Sequence, residues 1–418
     1  MADGCDCDRN ALIYQTVDAA LTLGLSIAHP VGNTASLPLQ QAIGRVLAEE
    51  CYSKVDMPAF DNSAMDGYAI RTGDLDEGPE FELPIGGRMA AGDSGVHNAP
   101  VGSALRIFTG APVPTEFDAV LMQEDCSVIA DRIRFSRRPK PGQHIRRTGE
   151  DLQVGTQILS RGCEITAREA AVLASSGHGR VKVYRKLRVT IFSTGSELRE
   201  PDEVLGPGQI YNSNRYMLLA LLNKPWIDLT DCGQIEDDPK LLKRVLEEAC
   251  ETSDLIVTTG GVSVGDEDHM PRLFKEIGGE TDVMKVAMKP GKPIMFGRRG
   301  DALYVGLPGN PVSAYVTWQI IGSHIMARKA GLSHTQPVSE QAVLAEPLQR
   351  QAGRQEYRPV RIEGTSPEGT PQLRCLAASY SGRVALLAQS DGLAVIPAEI
   401  ANLPEGHRVE FLRFNRLF

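Results

Sequence analysis

Three short loops in the middle of the chain place glycine and small hydroxyl residues directly after apolar runs. They read STGSE (193–197), TTGGVSVGDED (258–268) and LPGNP (307–311), and each lies before a predicted helix. In an open parallel α/β sheet, ligands bind outside the carboxyl ends of the strands. Glycine turns and helix starts direct backbone N–H groups at anions. The three loops therefore predict one shared anion-binding site.

Ten residues of these loops are candidate substrate-binding positions, because they are small or leave the backbone accessible. Glycine takes a positive φ angle at little cost and lets a ligand approach the main chain closely. The candidates are Ser193, Thr194, Gly260, Gly261, Ser263, Gly265, Pro308, Gly309, Asn310 and Pro311.

Cations and carboxylates accompany the loops. Lys285, Lys289 and Lys292 fall within eight residues, in the stretch KVAMKPGKP. One hydrogen bond to a charged group contributes only about 1.5–3 kcal/mol, so holding a phosphate or a similar oxyanion takes several bonds and real cations. Glu197 and Asp268, on neighbouring loops, could bind one Mg²⁺, which prefers oxygen ligands and is often shared between carboxylates and substrate phosphates.

The sequence lacks the motifs that several other common mechanisms require. No G-x-G-x-x-G follows a predicted strand and no G-x-x-x-x-G-K-[ST] occurs, which disfavours dinucleotide binding and the P-loop mechanism. His269 has no histidine partner at metal-ligand spacing, and Ser263 has no visible base for a nucleophilic triad.

The pattern of apolar residues predicts several domains in this chain of 418 residues. The first fifty residues are predicted to be helical, and short apolar runs up to about residue 142 (FELPI, ALRIF, AVLMQ) predict small strands. A helix is predicted in ITAREAAVLASSGHG, capped by Thr166 and ended by Gly177. From about Lys186 strands and helices alternate, which predicts a parallel sheet with helices on both faces. After about His334 short alternating segments predict a small β domain.

The net charge and the distribution of apolar residues disfavour two classes of partner, nucleic acids and membranes. A formal charge of −9, with no basic face, argues against nucleic acid. No window is apolar over the roughly 18–20 residues that span a bilayer, so no membrane association is expected. The start, MADGCDCDRN, shows no secretory signal, and we expect a cytoplasmic protein whose eight cysteines are free thiols. Cys5 and Cys7 have no second pair at zinc-ligand spacing.

Eight motifs in order resemble those of the MoeA family of molybdopterin molybdenumtransferases, which includes the E regions of gephyrin and of its plant counterpart. The resemblance runs from about residue 11 to the C-terminus. The motifs are FDNSAMDGYA (60–69), FTGAPVP (108–114), IRRTGED (145–151), FSTGSEL (192–198), GQIYNSN (208–214), GGVSVGDED (260–268), KVAMKPGKP (285–293) and GLPGNPVSA (306–314).

The resemblance implies a multidomain α/β plus β fold with four domains. These are an N-terminal helical domain (1–50 and 145–185), an inserted β domain (51–144), a doubly wound MogA-like α/β domain that binds molybdopterin (186–333) and a small C-terminal β domain (334–418). It also implies a homodimer whose active site lies between the doubly wound domain of one subunit and the N-terminal domains of its partner. Contacts with other molybdenum-cofactor biosynthesis proteins would be possible.

The implied reaction takes adenylylated molybdopterin and molybdate, places molybdenum on the dithiolene sulfurs and releases AMP, with Mg²⁺ as the cofactor. The catalytic residues that the motifs imply are Asp66, Thr109, Asp151, Glu197, Asp237, Asp268, Lys285 and Lys289. Glu197 and Asp268 are assigned to metal or phosphate chemistry, Asp237 to the nucleotide or pterin, and Asp66 and Asp151 to the pterin or molybdate. Further implied substrate contacts are Arg146 or Arg147, Lys292, Arg354 and Ser381.

Two positions depart from the family pattern, and two other functions compete. Ser196 stands where many members carry an acid, and SYSGRVALL follows the family's glycine–serine motif only loosely at Ser381. The doubly wound domain also resembles the MogA-type enzymes that adenylylate molybdopterin, although these lack the N-terminal domains. A non-catalytic scaffold of the gephyrin type is the other alternative, which the intact acids and lysines disfavour.

Overall fold

The computed structural model of the chain describes residues 14–93, 99–262, 269–333, 339–376 and 382–414. Within these ranges, no helix is long and apolar enough to cross a membrane.

The N-terminal part combines helices with short strands. Thr16 caps the start of helix α1, and its Oγ1 accepts a hydrogen bond from the Ala19 N–H at 3.1 Å. Helix α3 begins with a capping box between Thr166 and Glu169, and Gly177 follows its end at a φ of 87°, as predicted. The elements are α1 Val17–Ile27, β1 Thr34–Pro38, α2 Leu39–Ala42, β2 Cys51–Tyr52, β3 Asn62–Ser63, β4 Gly67–Ile70, β5 Phe81–Met89, β6 Ala104–Ile107, β7 Ala119–Met122, β8 Ser127–Ile129, β9 Arg132–Phe135, β10 Ile145–Arg146, β11 Gln157–Leu159, α3 Ala167–Ser175 and β12 Arg180–Tyr184.

The helical prediction for the first fifty residues was wrong at Thr34–Pro38, which form β1, and in residues 39–50 beyond the first turn. Helix α2 stops at Ala42, and the chain then forms single β-bridges from Val46 to Glu164 and from Leu47 to Val183. Gly44 has a φ of 75°, and a Cβ there would lie 2.6 Å from Pro225. Helical spacing of apolar residues is therefore overridden by a glycine turn that packs against a distant proline.

The short runs between residues 51 and 144 do form strands. Six of them make one sheet in the order β7-β4-β6-β5-β9-β8. Both faces carry buried apolar clusters, with Tyr68 and Ile133 in one cluster and Leu105 and Val120 in the other.

The middle of the chain forms the predicted doubly wound unit. Its main sheet has the order β16-β13-β17-β21-β20-β18, and β16, β13, β17 and β21 are parallel. The elements are β13 Leu187–Thr194, β14 Leu198–Arg199, β15 Ile210–Tyr211, α4 Ser213–Leu222, β16 Ile227–Ile235, α5 Pro239–Thr252, β17 Leu255–Thr259, α6 Met270–Glu276, β18 Glu280–Lys285, β19 Met288–Lys289, β20 Pro293–Arg299, β21 Ala302–Leu307, α7 Pro311–Thr317, a π-helical segment Trp318–Gly322 and α8 Ser323–Lys329.

Helices cover both faces of this sheet, as the strand–helix alternation predicted. Val257 packs in a cluster with residues of α1, α4 and α8, whereas its neighbour Ile256 packs with α5 and α6. Successive residues of the strand thus face opposite layers, and both are buried.

The sheet is not wholly parallel, which corrects the prediction. Strands β20 and β18 are antiparallel to their neighbours. Strands β20 and β21 are joined by only Gly300 and Asp301, and such a short connection can join only antiparallel strands.

The C-terminal part is a small barrel. Strand β24 pairs with both β25 and β26, which closes the order β24-β25-β22-β28-β26, and Val360, Leu373 and Phe411 fill the interior. Strand β19 of the middle unit joins this sheet by pairing with β24, opposite Gln355 and Glu356. The elements are β22 Glu340–Leu344, β23 Leu348–Gln349, β24 Gln355–Thr365, β25 Pro371–Cys375, α9 Val384–Gln389, β26 Gly392–Ile396, β27 Asn402–Leu403 and β28 Arg408–Arg413.

Candidate active site

The three glycine-containing loops meet at the carboxyl ends of β13, β17 and β21 and line one cleft of about 1120 Å³. The first loop contributes Thr194 and Glu197, the second contributes residues 259–262, and the third contributes residues 308–311. The cleft lies at the edge of the sheet where the topology of an α/β fold places ligands. Of the predicted site residues, Ser263, Gly265, Asp268 and Ser381 lie outside the described residues.

The glycine turn after β17 has the expected backbone conformation. Gly260 and Gly261 have φ angles of 90° and 66°, a region that favours glycine. A Cβ at Gly260 would lie 2.6 Å from the Thr194 carbonyl oxygen, and one at Gly261 would lie 2.9 Å from the Met270 side chain. The Gly260 N–H, however, donates to the Leu307 carbonyl at 3.1 Å. This amide joins two loops, which differs from the expected direct role in anion binding.

Cations lie on the wall of the cleft that faces the C-terminal barrel. Lys289, Lys292 and Arg354 line this wall. The Lys289 ammonium is 3.5 Å from the buried Glu356 carboxylate, and the Lys292 ammonium is 5.0 Å from the centre of the Tyr14 ring. An anion in the cleft would therefore meet positive side chains from two domains.

Two predicted residues of the middle unit do not line the cleft, namely Ser193, a predicted substrate contact, and Lys285, a predicted catalytic residue. Ser193 is only 1% exposed, and its Oγ accepts a hydrogen bond from the Thr259 hydroxyl at 3.0 Å. Lys285 is half-buried at the end of β18, where it pairs with Pro293. Each is nevertheless bonded to or paired with a residue that lines the cleft, Ser193 with Thr259 and Lys285 with Pro293.

The cleft also contains carboxylates. Glu197 and Asp237 both line the cleft. Asp237 accepts hydrogen bonds from the Ser196 N–H at 3.0 Å and the Ser196 Oγ at 3.3 Å. Among described residues the Glu197 carboxylate has no hydrogen-bond or ion-pair partner, so it is available to a ligand or a cation. Ser196, the departure from the family pattern, thus orients Asp237.

Two asparagines bring unpartnered acceptors to the cleft. The Asn214 Nδ2 donates to the Gly309 carbonyl at 2.7 Å, while its Oδ1 and the Oδ1 of Asn310 are buried without a partner among described residues. Buried polar atoms normally have partners, so these oxygens suit the N–H groups of a bound molecule. Asn214 was not selected from the sequence, although it lies in the GQIYNSN motif.

The remaining predicted residues lie in the N-terminal part, and none of them lines this cleft within one chain. Asp66 accepts hydrogen bonds from the N–H and the hydroxyl of Thr109, both at 2.8 Å, and the backbone bond is the main reason that the pKa of Asp66 is lowered. Arg146 and Asp151 line a second cleft of about 550 Å³. Arg147 instead pairs with Asp61 at 2.5 Å.

Three segments of the chain match known family models. Residues 15–177 match "MoeA N-terminal region (domain I and II)", residues 190–328 match "Probable molybdopterin binding domain", and residues 341–414 match "MoeA C-terminal region (domain IV)". Among curated relatives, the molybdopterin molybdenumtransferase of Haemophilus influenzae is 36% identical over 92% of this chain and 95% of its own length. The chain belongs to the MoeA family.

Other members are similar over nearly their full lengths. The molybdopterin molybdenumtransferase of a Nostoc species is 35% identical, covering 87% of this chain and 85% of its own. The crystal structure of the molybdopterin biosynthesis MoeA protein from Pyrococcus horikoshii OT3 superimposes with a TM-score of 0.80 at 29% identity, covering 96% of this chain and 100% of that one. The family resemblance predicted from the motifs is thus confirmed.

Proposed function

We propose that this protein inserts molybdenum from molybdate into molybdopterin, using the adenylylated pterin and releasing AMP. The observation that carries the proposal is the cleft itself, which is lined both by carboxylates of the middle unit and by cations. Its volume of about 1120 Å³ exceeds the upper end of the range for pockets that hold small molecules, about 1,000 Å³. A pterin joined to a nucleotide by two phosphates is a ligand of that size.

The roles of the side chains follow from their chemistry. Lys289, Lys292 and Arg354 are proposed to hold phosphate or molybdate oxygens, because charge-assisted hydrogen bonds are the strong ones. The buried Oδ1 atoms of Asn214 and Asn310 are proposed to accept from N–H groups of the pterin or the adenine. Asp237, fixed by Ser196, is proposed to orient the nucleotide or the pterin.

The residues present fit Mg²⁺ as the cofactor. The Glu197 carboxylate lies in the cleft without a partner among described residues, and oxygen donors are what Mg²⁺ prefers. Within the described ranges no group of three potential ligands forms; Asp268, the second proposed ligand, lies outside them. When bound, the ion would neutralise charge that develops as the phosphoanhydride is cleaved.

A homodimer accounts for the residues outside the cleft. Asp66, Thr109 and Asp151, which the family motifs include, are proposed to reach the cleft of the partner subunit. In a two-fold dimer the same contact occurs twice, so two equivalent composite sites would form.

The test is a reaction of the purified protein with adenylylated molybdopterin and molybdate, with and without Mg²⁺. We expect AMP release and formation of a cofactor that restores activity to a molybdenum-free apoenzyme. Glu197→Gln should abolish both signals, whereas Glu248→Gln, at an exposed position of α5, should leave them unchanged. If the unsubstituted protein forms no active cofactor, the proposal is wrong.

The alternative functions are not favoured. The matched segments include the N-terminal and C-terminal regions of the MoeA family as well as the molybdopterin-binding domain. Incubation with unmodified molybdopterin and ATP is expected to give no adenylylated product. Appreciable product without a second enzyme would instead support an adenylyltransferase.

A further inference from the structure

A buried carboxylate lies behind the cationic wall of the cleft. Glu356, on β24, is 1% exposed. Its carboxylate is 3.1 Å from the Arg358 Nε, 3.5 Å from the Arg350 Nη1 and 3.5 Å from the Lys289 Nζ. Arg350 and Arg358 are also buried, with side chains 2% and 4% exposed, whereas the Lys289 side chain is 40% exposed towards the cleft that it lines.

The backbone brings Lys289 to this carboxylate. Strand β19 leaves the middle unit and pairs in parallel with β24, with Lys289 directly opposite Glu356. The Gln355 N–H also donates to the Ala287 carbonyl at 2.9 Å. The contact therefore fixes where the Lys289 ammonium emerges at the boundary between the middle unit and the barrel.

The same carboxylate is linked to a second cation of the cleft. Arg350 donates from both Nη atoms to the Arg354 carbonyl, at 2.9 and 2.8 Å, and from one of them to the Ala398 carbonyl at 3.0 Å. Arg354 lines the cleft. Glu356 thus supports two cationic positions, one directly and one through Arg350.

Stability alone is a weak reason for such a cluster. Buried ion pairs are often no more stabilising than apolar side chains of the same volume, because both charges lose their hydration. Within the described part of the chain, the Glu356 carboxylate lies within 3.5 Å of three cations, and these four side chains together carry a net positive charge beside the cleft. This arrangement suits a site that must hold an anion at a defined place.

We propose that Glu356 is a positioning residue, which fixes Lys289 and, through Arg350, Arg354 for contact with an oxyanion. The inference deepens the proposed function, on which it rests for the identity of the oxyanion. The contribution of Glu356 to anion binding passes mainly through Lys289.

The test is a double-mutant cycle on the binding of molybdate to the full chain, measured by equilibrium dialysis. The proteins are the unsubstituted chain, Glu356→Gln, Lys289→Met and the double variant. Glu356→Gln removes a negative charge near the cleft, so charge alone would strengthen binding. A positioning role predicts the opposite, a loss of molybdate affinity of about tenfold. In the Lys289→Met background, Glu356→Gln should cause little further loss, because the effects of substitutions within one ionic network are not additive.

Two further variants separate positioning from folding. Glu363→Gln makes the same change on the same strand, where Glu363 pairs at 2.7 Å with exposed Arg374, and should bind molybdate normally. Glu356→Asp keeps the negative charge beside the two arginines, but its shorter side chain moves the carboxylate away from Lys289. This variant should therefore also bind molybdate more weakly. It provides the test if Glu356→Gln fails to fold.

The outcomes distinguish this inference from the proposed function. Three results would overturn the inference. The first is unchanged or tighter molybdate binding by Glu356→Gln, or by Glu356→Asp in its place. The others are an equal loss of affinity with and without Lys289, and no measurable binding by the unsubstituted chain. The unsubstituted chain could bind molybdate, and the variants could behave as predicted, while no active cofactor forms from the adenylylated pterin. That result would reject the proposed function and leave the positioning role in place.

Discussion

Gly260 lies against the backbone of Thr194, so closely that a Cβ on Gly260 would sit 2.6 Å from the Thr194 carbonyl oxygen. This approach brings the end of β13 against the loop that follows β17, and both residues line the cleft. The residue must also adopt a φ of 90°. Two separate physical requirements thus exclude a side chain at this position.

Gly260→Ala is therefore expected to lower the melting temperature and to impair the reaction together. The matched control is Gly278→Ala, since Gly278 has a φ of 83° but no described atom within 4 Å of the position that a Cβ would take. Both variants carry the cost of the positive φ, of about 1–2 kcal/mol, and only Gly260→Ala carries the clash. Calorimetry and AMP release measure the difference, and equal effects of the two changes would contradict the close-approach argument.

A second prediction concerns the dependence of stability on pH. Burial alone would raise the pKa of Asp254, but hydrogen bonds from the Arg185 and Arg188 side chains and from the Arg188 N–H lower it from 3.8 to about 2. Because the folded pKa lies below the unfolded one, the stabilisation is present above about pH 4 and is lost as the pH falls towards 2. It amounts to about 2 kcal/mol.

The measurement is the difference in melting temperature between the unsubstituted protein and Asp254→Asn. We expect the largest difference above pH 5 and a smaller one towards pH 2. Asp228→Asn is the control, because Asp228 is exposed and has no ion-pair partner among described residues. A difference that does not change with pH would show that Asp254 does not act through its charge.

A third prediction tests the proposed homodimer, in which each active site would combine residues of both subunits. Asp66→Asn and Glu197→Gln are expected to be inactive as separate proteins. When the two are co-expressed with different tags and the mixed dimer is purified, one of its two sites should contain neither substitution. We expect about half the activity of the unsubstituted dimer. A mixed dimer as inactive as its parents would mean that Asp66 and Glu197 act within one chain.

A fourth prediction concerns Asn214, which bridges α4 and the LPGNP loop by its 2.7 Å bond to the Gly309 carbonyl. Asn214→Ala removes this donor and one unpartnered acceptor of the cleft. We expect the KM for adenylylated molybdopterin to rise about tenfold, the size of one to two lost hydrogen bonds. Asn223→Ala, at the exposed end of the same helix, should leave the KM unchanged. An unchanged KM in Asn214→Ala would show that Asn214 does not contribute to substrate binding.

The sequence predicted those features that depend on local pattern. Alternating strands and helices placed STGSE, TTGGVSVGDED and LPGNP at one sheet edge, and the positive φ angles of Gly260 and Gly261 followed from their type. Thr166 and Gly177 bounded a helix because capping depends on neighbouring residues.

Features that depend on distant contacts were missed. Gly44 ends the predicted helix because it turns against Pro225. Lys285 and Lys289 are equivalent in the KVAMKPGKP pattern, yet only Lys289 lines the cleft, because β19 crosses to the barrel and pairs with β24. The link from Glu356 to Lys289 is invisible in the sequence for the same reason.

The most direct test of the central claim is a crystal soaked with adenylylated molybdopterin. We predict density for the two phosphates in the cleft bounded by Gly260, Asn310 and Lys289. An empty cleft at a saturating concentration, or the ligand bound only in the second cleft beside Arg146 and Asp151, would contradict the account.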